Sequence, residues 1–276
     1  MANWWQKPKS ARPWPRGNST MPPKRRLAFF DTFSDDKIDE TKWLPQYLPH
    51  WTTPELAKPR YHFEDGNLIL RLDVDQDAWC PEHDGDVKCS SIQTGHFSGG
   101  LGTARGQLRF SKNLRVQTAL PKSELFLPLH GYFEVRAKAK IASNNMVAFW
   151  MMGFEELPEN SGEITVMEIF GKNCTAQATR FGHGVKQATD PRLLTEYHDD
   201  LLNFDVADWH IYGVEWTKSG TDHFIDGNHL CHINHAPQYP LQFMLGIYEL
   251  PNEPEPPVKQ TATFTIDYVK AYSPSE

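Results

Sequence analysis

The 276-residue sequence contains no run of about 18 apolar residues, the length that a membrane-spanning helix requires. Its first residues also have no apolar stretch of the kind found in signal peptides. Basic residues are too few to outnumber acidic ones, 28 against 35, and the formal net charge of -7 disfavours nucleic acid or an anionic membrane as partner. We therefore expect a soluble protein, cytoplasmic as the sequence is written and secreted if a leader has been trimmed.

Cysteine is also scarce, with four residues in the whole chain: Cys80, Cys89, Cys174 and Cys231. Their spacing matches no zinc site. Only Cys80 and Cys89 close a short loop, where a disulfide and a pair of buried thiols are both compatible with the sequence. The sequence leaves this alternative open.

Long amphipathic helical patterns and internal repeats are absent as well, whereas strand patterns are frequent. In "GYFEVRAKAK" (131–140) apolar and charged residues alternate, as in a strand with one solvated face. Two segments, "YHFEDGNLILRLDV" and "HFIDGNHLCHI", place Asp-Gly-Asn between strand-like runs and therefore predict hairpins. Many short strands without alternating helices predict an all-β fold, an antiparallel sandwich or barrel.

The domain organisation follows from the distribution of proline and charge. Residues 1–26 hold five prolines and seven basic residues with no apolar periodicity, so we expect a flexible basic tail there. Residues 27–273 then form a single domain. Between residues 95 and 129 the composition is that of loops, with at most one strand at "GQLRF" (106–110).

The segment "SGEITVMEIFG" (161–171) carries two acids, Glu163 and Glu168, among apolar residues. In a regular strand they would face opposite sides, because their separation of five residues is odd and side chains alternate. One bulged residue near Val166 or Met167 would place Glu163, Thr165 and Glu168 on one face. The competing interpretation is an ordinary strand with the two glutamates exposed on opposite faces.

With the bulge, the two carboxylates would approach the roughly 5 to 5.5 Å separation of retaining glycosidases. One carboxylate would attack the anomeric carbon, and the other would donate a proton to the leaving oxygen and later activate water. The segment therefore indicates a glycosidase as the leading functional hypothesis.

At these residues the chain resembles glycoside hydrolase family 16, whose signature is a Glu, aliphatic, Asp, aliphatic, aliphatic, Glu strand. Segments in the family's order flank it over roughly residues 27–273: "FFDTFSDD", "FEDGNLILRL", "HGYFEVRAKAK", "MVAFWMMG", "WHIYGVEWT", "HFIDGNHL" and "TFTIDYVKAY". The resemblance implies an antiparallel β-jelly-roll sandwich of the concanavalin A-like type. It also implies an endo-acting hydrolase of a β-linked polysaccharide, with a β-1,3- or mixed-linkage glucan favoured and a galactan as an alternative.

By position, the resemblance implies that Glu163 is the nucleophile, Glu168 the general acid/base and Trp150 the aromatic that supports the sugar beside the cleaved bond. Trp216 is a weaker candidate for the same cleft, and a core tryptophan is the alternative. No cofactor is required and a monomer is expected. Many family members hold a structural calcium ion, and Gly66 and Asp267 are similar in position to its ligands.

This chain departs from the family pattern at Thr165, where the family has aspartate. A threonine hydroxyl can donate a hydrogen bond to Glu163 but adds no negative charge, so an enzyme with this site should have an acid-shifted pH optimum. Two functions other than hydrolysis remain compatible with the residues alone. One is a carbohydrate-binding, lectin-like module with impaired catalysis. The other is a transglycosylase that uses the same intermediate.

Overall fold

The computed structural model describes residues 25–251 and 261–274 of the chain, and these residues form an all-β structure. The α-helices in these ranges are two four-residue segments, α1 Pro54–Ala57 and α2 Pro81–Asp84, and two single 3-10 turns lie at Pro49–Trp51 and Gly171–Asn173. The strands are β1 Leu27–Asp31, β2 Arg60–Glu64, β3 Asn67–Leu72, β4 Lys88–Gln93, β5 Gly95–His96, β6 Ser123–Glu124, β7 Gly131–Lys140, β8 Asn145–Gly153, β9 Glu163–Phe170, β10 Thr179–Lys186, β11 Glu196–Leu202, β12 His210–Thr217, β13 Gly220–Ile225, β14 Asn228–Ile233, β15 Leu241–Glu249 and β16 Ala262–Tyr272.

Two large antiparallel sheets form a sandwich. The eight-stranded sheet has the order β14-β13-β12-β7-β16-β3-β2, with β1 also paired to β16. The six-stranded sheet has the order β11-β10-β9-β8-β15-β4, and β5 and β6 form a small separate ribbon. The main hydrophobic core lies between the two sheets and receives alternate residues from each. The predicted all-β jelly-roll class is confirmed.

The structure agrees with the strand and hairpin predictions that rest on short segments of the sequence. Strand β7 alternates buried and partly exposed residues along its length, as "GYFEVRAKAK" predicts. Both predicted hairpins form, with positive φ at Asp65 and Gly66 and at Asp226 and Gly227. These two-residue turns connect β2 to β3 and β13 to β14, and the following asparagine begins the next strand.

The predicted strand at "GQLRF" is wrong, since within the described residues this segment makes only an isolated bridge between Ser98 and Gly106. Leu108 has a φ of 46°, which interrupts an extended conformation. Its backbone N–H donates to the Glu155 carboxylate over 2.7 Å. The contact lies 47 positions away in the chain, so a local pattern could not reveal it.

A second hydrophobic cluster covers part of the other face of the six-stranded sheet. Strands β8 and β15 contribute Trp150 and Tyr248 among others, and Leu114 and Val116 come from the long loop. Part of the stretch 95–129 is therefore packed against this sheet face.

All four cysteines are free, so the disulfide alternative for Cys80 and Cys89 is not realised. Both thiols are buried in the second cluster, and burial raises the pKa of each. Neither thiol therefore carries the charge that a reactive cysteine needs at neutral pH.

Most of the predicted basic tail, residues 1–24, lies outside the described residues. Its last two residues contact the sandwich: Arg25 forms an ion pair with Glu215 at 2.5 Å, and the Arg26 carbonyl accepts the Ser273 N–H at 2.9 Å. The predicted boundaries of the tail and of the domain stay predictions. In the ranges that the structure describes, neither helix has the length or the apolar composition needed to cross a bilayer.

Candidate active site

Strand β9 has the bulge that the acid spacing predicts. Thr165 pairs with Trp150 on β8 and Met167 pairs with Phe149, so Val166 is the additional residue between two successive pairs. Val166 and Met167 are both fully buried in the main core. The extra residue corrects the parity of the strand, and the acids on either side of it point away from that core.

Glu163, Thr165 and Glu168 consequently share the outer face of the six-stranded sheet. The Thr165 hydroxyl donates to Glu163 Oε1 over 2.6 Å, as the sequence predicts. The two glutamate side chains retain 15% and 16% of their exposure, so both reach solvent in a recess. The arrangement excludes the ordinary strand with the glutamates on opposite faces.

Lys186, at the end of β10, lies between the two glutamates. Its Nζ is 3.1 Å from Glu163 Oε1 and 3.1 Å from Glu168 Oε1. Burial acts to lower the pKa of this ammonium, but the charges and hydrogen bonds of both glutamates outweigh it and the pKa is raised. Lys186 is therefore a cation in contact with both carboxylates.

Tyr197 on β11 completes this polar group. Its hydroxyl donates to Glu168 Oε2 over 2.6 Å, and the Lys186 ammonium lies 5.0 Å from the centre of its ring. Burial and the nearby charge of Glu168 raise the pKa of Tyr197, which keeps its proton available for this bond. Sequence reasoning missed both Lys186 and Tyr197, since only strand pairing brings β10 and β11 beside β9.

A cleft of about 260 Å³ opens over the two glutamates. Trp150 lines it as predicted, and its Nε1–H donates to the Tyr248 hydroxyl over 3.4 Å. Tyr47 stands beside Tyr248 with ring centres 5.5 Å apart. The full lining is Tyr47, Asp84, Val87, Leu108, Met146, Ala148, Trp150, Glu163, Glu168, Lys186, Tyr248 and Leu250. Aromatic walls above paired carboxylates suit a sugar ring, which has apolar faces and polar edges.

Asp84 adds a third carboxylate to the cleft lining. It lies in α2, within the acidic stretch 73–86 between β3 and β4. It accepts the Trp79 Nε1–H at 2.7 Å, and burial raises its pKa. The local sequence does not identify Asp84, among the acidic residues of this stretch, as the one that lines the cleft. Asp73 and Asp75 of the same stretch contact Arg60 instead.

Trp216, the second tryptophan considered for the cleft, lies in β12 of the opposite sheet and is fully buried. Its Nε1–H donates to the Pro237 carbonyl over 3.0 Å, and its ring packs against Phe133. Trp216 is therefore a core residue, and its assignment to the cleft is corrected. The segment "YGVEW" would show the same strand alternation with its tryptophan in the cleft or in the core. The sequence therefore does not distinguish these two positions for Trp216.

The calcium candidates lie on the eight-stranded sheet. Gly66 is in the β2–β3 turn, and Asp267 sits at a register shift of β16, where its carboxylate contacts Arg136. Among the residues that the structure describes, no group of three or more acidic, histidine or cysteine side chains could hold a metal. Calcium takes six to eight oxygen ligands. Those ligands include backbone carbonyls as well as carboxylates, and the calcium ion stays a prediction.

Comparison with known proteins places these features in context. The model of the family described as glycosyl hydrolases family 16 matches residues 86–270. A GlcNAcα1-4Gal releasing endo-β-galactosidase from Clostridium perfringens is 27% identical, with a TM-score of 0.77 over 93% of this chain. The chain spans 64% of the length of that structure. Comparison with curated protein sequences gives no match.

Two glucanases share the fold at lower identity. The catalytic domain of an endo-1,3-β-glucanase (laminarinase) from Thermotoga petrophila is 18% identical, with a TM-score of 0.63, and the match covers 92% of this chain and 99% of that one. A laminarinase from Flavobacterium sp. is also 18% identical, with a TM-score of 0.59 and coverage of 90% and 100%.

Proposed function

The chain belongs to glycosyl hydrolases family 16, and from this premise we propose that it is a retaining, endo-acting hydrolase of a β-linked glycan. The observation that carries the proposal is the placement of Glu163 and Glu168 on one face of a bulged strand, at the floor of an aromatic cleft. One ammonium contacts both carboxylates, so the two groups are close enough to act on the same bond.

In the proposed reaction the Glu163 carboxylate attacks the anomeric carbon and forms a glycosyl ester. Glu168 donates a proton to the leaving glycosidic oxygen as its bond to that carbon breaks. In the second step Glu168 takes a proton from water, the water oxygen bonds to the anomeric carbon, and the ester to Glu163 is cleaved. Thr165 orients Glu163 through its 2.6 Å hydrogen bond, and Tyr197 does the same for Glu168.

The first step of this reaction requires Lys186 to leave its contact with Glu168. Its ammonium lies 3.1 Å from Glu168 Oε1, whereas bond cleavage needs Glu168 to carry a proton as an acid. We propose that a sugar entering the cleft separates Lys186 from Glu168, and that a proton then reaches Glu168. The long side chain of lysine has the rotational freedom for this movement.

For the substrate we favour a glycan that contains β-linked galactose, with a β-glucan as second choice. The support is the endo-β-galactosidase from Clostridium perfringens, which is 27% identical to this chain, whereas the laminarinases are 18% identical. The choice between linkages rests with the loops that wall the cleft, because pocket contacts set specificity.

A lectin-like module is the second candidate, and Lys186 is the observation that favours it. An ammonium that stays between Glu163 and Glu168 would prevent proton donation and leave binding intact. The aromatic walls formed by Trp150 and Tyr248 would serve a binding module equally well.

The test uses labelled β-galactans and β-glucans between about pH 4 and 8, with Glu163→Gln as the matched control because it keeps the shape of the side chain and removes the charge. Product release that disappears in the control would support the glycosidase and identify the polymer. Binding without release, equal in both proteins, would favour the lectin-like module. Neither binding nor release on any polymer would contradict both.

A further inference from the structure

A second cavity, of about 230 Å³, lies on the eight-stranded sheet, whereas the cleft lies on the six-stranded sheet. Strand pairing aligns four of its residues in one row across β2, β3, β16 and β7. His62 pairs with Ile69, Ile69 with Thr265, and Thr265 with Lys138. We call this cavity the outer groove. Its full lining is His62, Glu64, Asp65, Asn67, Ile69, Lys138, Trp209, Thr263 and Thr265.

The row faces away from the core. The residues next to it in sequence, such as Leu68, Leu70, Phe264 and Ile266, are all buried in the main core. Since side chains alternate along a strand, Ile69 and Thr265 point to the opposite side. The outer groove therefore runs across the strands on the outside of the sandwich.

Trp209 forms a wall of the outer groove, directly before β12. The guanidinium carbon of Arg136 lies 4.6 Å from the centre of its ring, and the Lys138 ammonium lies 4.8 Å from it. These cation–π contacts hold the indole beside strand β7. The structure thus presents a fixed aromatic side chain next to the floor residue Ile69.

The chemistry of the outer groove fits a neutral sugar. An indole ring and an isoleucine side chain match the apolar face of a pyranose, while threonine hydroxyls, an amide and a carboxylate match its hydroxyl groups. The acids Glu64 and Asp65 outnumber Lys138, so a polyanion has no excess of positive charge to bind. The volume is below the roughly 300 to 1,000 Å³ of sites for drug-sized ligands, which limits the ligand to one or two sugar rings.

We propose that the outer groove is a second glycan-binding site, which holds a segment of the same neutral polysaccharide that the cleft acts on. The choice of ligand rests on the proposed function. Two sites on opposite sheets would engage different segments or chains of a polymer, and this raises the avidity for the polymer without changing the cleft.

The test measures binding of the full chain carrying Glu163→Gln to a soluble β-galactan and a soluble β-1,3-glucan by affinity electrophoresis and calorimetry. On this background, Trp209→Ala should weaken binding of the recognised polymer by about three- to tenfold, the loss expected for one aromatic contact. Thr265→Lys places a long side chain in the row of groove residues and leaves Trp209 unchanged, and it should weaken polymer binding similarly. Combining Trp209→Ala with Trp150→Ala should remove most binding.

Phe30→Ala is the matched control. Phe30 is an exposed aromatic on the same sheet that also contacts a lysine, with the Lys270 ammonium 5.6 Å from its ring centre, and it lies outside the outer groove. This variant should bind as the parent does. Thermal unfolding of each variant separates loss of binding from loss of folding.

Unchanged polymer affinity in folded Trp209→Ala or Thr265→Lys would overturn the inference, as would a parent that binds neither polymer. Hydrolysis by the unmutated protein is measured in parallel. If it releases product while Trp209 is irrelevant to binding, only the inference fails. If it releases none while binding depends on Trp209, the inference stands and the proposed hydrolase fails.

Discussion

At the scale of single residues, the acid pair of the cleft, Glu163 and Glu168, is in contact with one ammonium. The family pattern places a third carboxylate at position 165, where this chain has a fully buried threonine. Lys186 adds a positive charge between Glu163 and Glu168. Both differences act in the same direction, because each makes this group of side chains less negative.

Thr165→Asp should therefore move the basic limb of the pH–rate profile upward, on the order of one pH unit, because the added charge favours the protonated acid. The measurement is kcat/KM against pH on the recognised polymer. Thr165→Val is the control, since it removes the hydrogen bond to Glu163 and adds no charge. It should lower the rate and leave the limb in place. An unmoved limb in Thr165→Asp would contradict the charge argument.

Lys186→Met should also shift the basic limb upward, by a similar amount, because Glu168 loses an adjacent cation. Lys186→Arg keeps the charge and should keep the limb near its original pH. The two variants are compared by their pH–rate profiles and by their affinity for the polymer. Identical limbs in both variants would show that the Lys186 charge does not govern the acid.

The buried Glu155 should make the free energy of unfolding depend on pH. The residue is 9% exposed, and burial raises the pKa of its carboxyl group from 4.5 to about 7, although the Leu108 N–H acts in the opposite direction. The folded protein binds this proton more tightly than the unfolded chain does. The resulting stability is complete below about pH 4.5 and is lost as the pH rises through about 7.

Glu155→Gln should remove this pH dependence, because the amide oxygen can still accept the Leu108 N–H but cannot ionise. The free energy of unfolding in urea is measured at pH 5 and at pH 8. The unmutated protein should lose up to about 3 kcal/mol more than the variant between these values. Parallel losses in the two proteins would exclude Glu155 as the titrating group.

At the scale of strands, what the sequence reveals depends on the range of the interaction. The alternation in β7 and the Asp-Gly turns are local, and both were predictable. The bulge at Val166 was predictable because two acids at an odd spacing need it to share one face. Lys186 and Tyr197 were not predictable, because only the register of β9, β10 and β11 brings them to Glu168. Trp216 was ambiguous for the same reason.

The close packing of β10 and β11 is itself testable at Gly182. A Cβ there would lie 1.8 Å from the Tyr197 hydroxyl oxygen, so Gly182→Ala must displace the tyrosine from Glu168. We expect roughly a tenfold to hundredfold lower kcat/KM, the effect of losing one hydrogen bond to a charged group. Tyr197→Phe should lower activity similarly with little change in Tm.

Gly213→Ala is the matched control for Gly182→Ala. A Cβ at Gly213 would lie 2.6 Å from the Tyr132 hydroxyl oxygen, on the eight-stranded sheet. This variant should lower Tm and leave the activity of the folded fraction unchanged. Full activity in Gly182→Ala would mean that Tyr197 does not position Glu168.

At the scale of the whole molecule, the sandwich separates two surfaces. The six-stranded sheet carries the cleft and the loops that wall it, and the eight-stranded sheet carries the outer groove. The fold class and the strand with the two acids followed from the sequence, since both depend on patterns within short segments. The shape of the cleft did not, because Leu108 reaches it from a long loop with no repeating pattern. Leu114 of the same loop packs in the second hydrophobic cluster.

The central claim is that Glu163 and Glu168 cleave a β-glycosidic bond by double displacement, and the anomeric configuration of the first product tests it most directly. Proton NMR during the first minutes of hydrolysis, on the polymer that the protein accepts, distinguishes the two anomers before they equilibrate. We expect the β-anomer to appear first and Glu163→Gln to form no product. An α-anomer appearing first would contradict the proposed roles of both glutamates.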